Sequence, residues 1–273
     1  MNAPGPRLAR LGMLLLALAF CGCAGNRPAA APAPAGCETW RGGIVRGPTD
    51  QPRLAIVFTG HGYAEGANTM LDELARHHGH GSFFLTGAFL TNAQFAPLVR
   101  RMQAGGHYLG PHSDAHLLYC DWDPPQKTRV TREQFDADLR ANAARLPRPF
   151  PRRTSAPRFF LPAFEHYNAE IASWAAADGF TLVNYTPGTR SNADYTGEAD
   201  PNFVPAQTIF DSILKRERTD ARGLNGFILL LHVGSGPGRT DKFADKFGEL
   251  LDQLAAKGYQ FVSLDELLAP PTK

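Results

Sequence analysis

From Leu54 onward, short apolar runs alternate with stretches of helical periodicity. Leu54–Phe58, Ser82–Leu85, His107–Leu109, Arg158–Leu161, Phe180–Tyr185, Phe227–Leu231 and Gln260–Ser263 read as seven strands. Between them Asn68–His78 places Met70, Leu71 and Leu74 on one helical face, and Ala93–Ala104 is a helix closed by Gly105-Gly106. Thr131 and Gln134 have capping-box spacing for a helix running to about Arg145. Asn168–Ala177, Lys242–Lys257 and a short terminal segment from Asp265 complete the helices. Phe227–Leu231 is apolar without a break, as a strand covered on both faces must be. This alternation predicts an α/β fold with a parallel sheet, and seven repeats predict a closed or nearly closed barrel. In such barrels chemistry gathers on the loops at the strands' C-terminal ends.

The first 52 residues do not share the pattern. Arg7 and Arg10 precede an apolar run from Leu11 to Phe20, too short to cross a bilayer and shaped like an export signal. Residues 1–23 resemble a bacterial lipoprotein signal, with Cys23 behind the small Gly22 as the expected lipid acceptor. Residues 24–52 read as an Ala/Pro-rich tether and N-terminal extension, and 53–269 as the barrel. The expectation is an exported protein of the cell envelope, lipid-anchored at the outer membrane or cell surface.

Composition narrows the partners. With 43% hydrophobic and 20% charged residues the chain is ordinary globular material, and a net charge of +2 gives no basis for nucleic-acid binding. The glycine clusters Gly223–Gly226 and Gly234–Gly238 lack a strand-to-helix nucleotide fingerprint and read as turns. Beyond the leader only Cys37 and Cys120 remain, a pair that an oxidising compartment permits but does not require to bond.

Histidines carry the chemistry. His61 follows the first strand, His112 and His116 the third, and His232 the sixth, so all four fall on one rim. His112 and His116, four apart behind the Gly110-Pro111 turn, have the spacing of a metal-ligand pair. His77, His78 and His80 close a helix, where imidazoles favour the negative end of the dipole, and are set aside.

From about Arg53 to Leu268 the chain resembles the polysaccharide deacetylases, carbohydrate esterase family four. Gly106-His107-Tyr108-Leu109-Gly110-Pro111-His112-Ser113-Asp114-Ala115-His116 is similar to that family's "GHExGNHTxxH" motif, which carries two metal-binding histidines. Ser82–Gly87 resembles the family's second strand, and Leu231-His232 falls on the motif of its catalytic acid histidine. The resemblance implies a distorted (β/α)7 barrel, a divalent metal, and removal of acyl groups, foremost N-acetyl, from a polysaccharide.

Two motifs depart from the family. Its "TFDDG" segment is here Phe58-Thr59-Gly60-His61-Gly62, so the base position is Gly60 and the ligand position His61. The arginine of its third motif falls on Leu161. Losing carboxylate and arginine together leaves no unpaired charge. His61, His112 and His116 would then form a neutral three-nitrogen site for zinc. Such a site leaves the metal's full charge to acidify a bound water, to a pKa of about 7, with less need of an external base. His232 would protonate the leaving group. Should a base be needed, Glu165, Asp194, Glu65 and Asp114 are available, with Glu165 first. Tyr119, Trp122, Tyr185 and Tyr195 are candidates for stacking on sugar rings, and Arg190 for an anionic substrate group. The opposing reading is a catalytically silent barrel that binds glycan.

Overall fold

The computed structural model of the chain describes residues 34–124, 126–147 and 158–269. The export signal and Cys23 lie outside them. Among the described residues no helix is long and apolar enough to cross a membrane.

Seven parallel strands form where the apolar runs predict them: β3 (Arg53–Gly60), β4 (Ser82–Leu85), β5 (Tyr108–Pro111), β6 (Arg158–Phe160), β7 (Phe180–Leu182), β8 (Ile228–His232) and β9 (Gln260–Val262). β3 is central, pairing with β8 through its middle, with β4 over Val57–Gly60 and with β9 at its start, while β4 pairs with β5 and β6 with β7. Leu161 N donates to Pro111 O and Thr186 N to Ile228 O, which carries the ring from β5 to β6 and from β7 to β8. The result is a distorted (β/α)7 barrel.

Three buried clusters form: strand alternation on β3 separates two of them, and a third packs Phe160, Phe180 and Leu182 against Phe135, Leu139 and Ile171. Ala55 and Val57 of β3 point inward to meet Phe84, Tyr108, Phe159 and Leu230, whereas Leu54, Ile56 and Phe58 face the outer helices. The helices are α1 (Ala67–Arg76), α2 (Gly87–Thr91), α3 (Ala96–Ala104), α4 (Arg132–Arg145), α5 (Ala169–Ala177), α6 (Ala206–Thr219), α7 (Ala244–Ala255) and α8 (Leu264–Leu267), of which α1, α2, α3, α6 and α7 share a buried cluster with Leu54, Ile56 and Phe58. Thr131 caps α4 through the expected box with Gln134. The helix read over Ala93–Ala104 forms as α3 from Ala96, and the short α2 before it, which Thr86 caps by accepting from Phe89 N, is absent from the sequence reading. α6 is absent from the sequence reading, although Ile209, Phe210, Ile213 and Leu214 give it a buried stripe.

The boundary at residue 53 also moves. β1 (Glu38–Trp40) and β2 (Gly43–Arg46) form a hairpin within what reads as the extension. β2 bridges to Val183, receives a hydrogen bond from Asn184 N at Ile44 O, and buries Ile44 in the barrel interior. Arg46 is fully buried, paired with Asp220 at 2.9 Å and donating to the carbonyls of Gly223 and Asn225. A single hairpin strand thus covers the seam between β7 and β8. Cys37 and Cys120 are both free thiols.

Candidate active site

The loop after β5 is shaped from outside by α4. Asp138 accepts from Asp114 N and Ala115 N, Asn142 accepts from His112 N at 2.7 Å, and Ser113 Oγ accepts from Leu117 N. Ser113 and His116 take positive φ values of 72° and 54°, a conformation that needs such bracing in residues with a Cβ. His112 is buried and its Nδ1 donates to Leu161 O at 2.9 Å, so Nε2 is the lone-pair nitrogen. Burial holds His112 well below the usual imidazole range, with the charge of His116 acting in the same direction. His116 is lowered to about 4, first by burial and then by the charges of His61 and His232.

His232 at the end of β8 has the opposite environment. Asp194 accepts from His232 Nδ1 at 2.6 Å and from its backbone N at 2.8 Å. Burial opposes protonation of His232, but the charge and hydrogen bond of Asp194, with the charge of Glu165, raise its pKa above the usual value. Asp194, one of the four carboxylates considered as a base, is thereby engaged in orienting this imidazole.

Glu165 enters from the turn after β6. Phe164 and Glu165 both adopt positive φ, 59° and 51°, which swings the carboxylate inward until Oε1 lies 3.7 Å from His112 Nε2. Burial pushes Glu165 up to about 7. His61, His112, His116, Glu165 and His232 line one open cavity of about 460 Å³. Tyr63, Trp122, Phe164 and Tyr195 line it too, and each is roughly half exposed. Trp122 is braced on His166 at 4.4 Å and Tyr195 on His232 at 4.9 Å.

Several expectations are corrected. Arg190 is exposed, with its backbone N donating to Ser212 Oγ, and does not line the cavity. Tyr185 is half-buried against the inner core and Tyr119 is fully buried with its hydroxyl on Asp138, so neither offers a ring face there. Glu65 accepts from Ser235 N, Gly236 N and Lys242 Nζ, and Asp114 pairs with Arg145 at 2.6 Å. Tyr63 and Phe164, unremarked in the sequence, carry no signal there beyond standing two residues after His61 and next to Glu165.

The three-histidine centre is gathered but not closed. Among the described residues no three His, Cys, Asp or Glu side chains are arranged to hold a metal ion. His61 Nδ1 lies 3.1 Å from Thr86 Oγ1, and its ring stacks on that of His116 at 4.4 Å and 18°. The donor set still fits a divalent ion in kind: His112 presents a tautomer with Nε2 free of a proton, and burial keeps His112 and His116 neutral. At Gly60, an added Cβ would stand 2.9 Å from both Leu85 Cδ2 and Phe89 Cδ2. Apolar side chains occupy the space into which a larger residue at this position would grow.

A sequence profile described as "Polysaccharide deacetylase" matches residues 46–183. A peptidoglycan-N-acetylglucosamine deacetylase of Bacillus cereus is 25% identical over 222 residues, 81% of this chain and 70% of that protein. Among solved structures, the Bc1960 peptidoglycan N-acetylglucosamine deacetylase superposes with a TM-score of 0.64 at 22% identity, covering 84% of this chain and 94% of that one. A mutant of BA3943, a CE4 family pseudoenzyme of Bacillus anthracis with restored enzymatic activity, superposes at 0.63 and 15% identity, covering 84% and 72%.

Proposed function

Because the chain belongs to the polysaccharide deacetylase family, we propose that it is a hydrolase removing acyl groups, foremost N-acetyl, from a cell-envelope polysaccharide. The observation that carries this reading is the facing of His232–Asp194 and Glu165 across one aromatic-rimmed cavity. Half-exposed rings around a cavity lined, among the described residues, by no lysine or arginine suit the flat apolar faces of uncharged sugars.

His232, held by Asp194 with Nδ1–H fixed, presents Nε2 to protonate the departing amine or alkoxide. Glu165 is the side chain in the cavity able to accept a proton from water, in place of the carboxylate that Gly60 lacks. His61, His112 and His116 would hold a divalent ion, zinc being the match for imidazole nitrogens. When bound, that ion would polarise the acyl oxygen and acidify water. The leader residues and the Ala/Pro tether support anchoring of the enzyme to the envelope through Cys23.

Acetate release from acetylated glycans, measured alongside metal content and with or without chelator, tests the reading. Chelator-sensitive release with stoichiometric metal is the expected result. Glycan binding without release from varied substrates would overturn it in favour of a silent glycan-binding barrel, which the filled space at Gly60 favours.

A further inference from the structure

The loop between β7 and α6 carries both Asp194 and Tyr195, and it packs against the segment leaving β8. Arg239 lies in that segment with its side chain wholly buried. Its Nε donates to Asp241 O at 2.7 Å. One terminal nitrogen reaches Thr196 O at 3.0 Å, with Thr196 Oγ1 and Ala193 O at 3.5 Å, and the other reaches Val204 O at 2.9 Å. The Phe203 ring lies under the guanidinium at 5.0 Å, and the Asp241 carboxylate stands off at 3.8 Å. Burying a cation among carbonyls is expensive, and an apolar side chain of like volume would fill the space at less cost. What the guanidinium supplies is a planar fork that grips backbone on both sides of Asp194-Tyr195. Glu198 closes the same junction from the surface, accepting from Thr240 N, Thr240 Oγ1 and Asp241 N.

We infer that Arg239 is a positioning residue that acts on His232 through Asp194. By fixing residues 193–196 against the segment after β8, it sets the Asp194 carboxylate across both the backbone N and Nδ1 of His232. Nε2 is thereby aimed into the cavity. The kinetic arm of the test rests on the proposed role of His232, and the spectroscopic arm does not.

In the full chain, Arg239→Lys keeps the charge and loses the fork. The low-field NMR resonance of the proton shared by His232 Nδ1 and Asp194 is expected to be lost or moved upfield, while far-UV circular dichroism is unchanged. The kcat for acetate release falls on the order of tenfold with little change in KM. Asp194→Asn removes the same resonance, and the double variant is no slower than Asp194→Asn alone. Retention of the resonance and of kcat in a folded Arg239→Lys, with only Tm lowered, overturns the inference, as do additive losses. If Arg239→Lys does not fold, Glu198→Ala opens the junction from the solvent side: a weakened resonance supports the inference and an unaltered one refutes it. Loss of the resonance in a protein that never releases acetate would sustain the positioning role and remove only the proposed function.

Discussion

His112 and His232 both stand at the end of a parallel strand with Nδ1 engaged, but the partner of one is a carbonyl and of the other a carboxylate. The carbonyl fixes a tautomer without compensating a charge, so burial keeps His112 neutral, and His116 beside it follows. The carboxylate stabilises imidazolium, so His232 is protonated more readily than a free histidine. One cavity therefore holds lone-pair donors on its β5 side and a proton donor on its β8 side, separated by partners alone. Glu165 stands on the β5 side, its Oε1 3.7 Å from His112 Nε2.

The comparison breaks most severely at the β8 side. His232→Ala should lower acetate release by about 10²- to 10⁴-fold, the usual range for a general acid, with circular dichroism unchanged. A loss of less than about tenfold would mean that protonation is supplied elsewhere. Glu165→Gln should lower release by on the order of 10²-fold, and full turnover would exclude it from proton transfer.

Between the two sides lies the end of β3. Gly60→Asp should destabilise the protein by about 1–3 kcal/mol through crowding against Leu85 and Phe89, lowering Tm, and Phe89→Ala should recover part of that loss in the double variant. A Gly60→Asp protein as stable as the parent would show that this space is not filled in solution.

The smallest effect is a pair of opposed slopes in stability against pH for metal-free protein. His112 and His116 are depressed, so between about 4, the value for His116, and the free-histidine pKa near 6.5 the unfolded chain binds more protons, and stability falls as the pH falls. His232 is raised, so its contribution is complete below about 6.5 and is lost as the pH rises through the folded value. Denaturant midpoints across this range should show Asp194→Asn flattening the alkaline limb alone. Flattening of both limbs would mean that the two sides titrate as one unit.

The barrel was legible because buried parallel strands must be apolar throughout, and all seven runs became strands. The rim position of His61, His112, His116 and His232 followed from strand ends. Three features left no such mark. The β1–β2 hairpin is short, and its role rests on pairing with distant Val183 and Asn184. Glu165 turns inward because two consecutive residues adopt positive φ, which neither Phe164 nor Glu165 advertises by type. Arg190 is in a turn-rich loop near the rim, but its position in that loop leaves the side chain in solvent. α6, by contrast, had its signal in Ile209, Phe210, Ile213 and Leu214, hidden behind a long polar loop.

The hairpin strand β2 makes the chain's start a matter of solubility. A fragment beginning at residue 53 would strip Ile44 and Val45 carbonyls from Asn184 N and Thr186 Oγ1, and would leave Asp220 without Arg46. The flank of β7 would then stand as an open edge ready to pair with another copy, so self-association should mark such a fragment before any loss of secondary structure does.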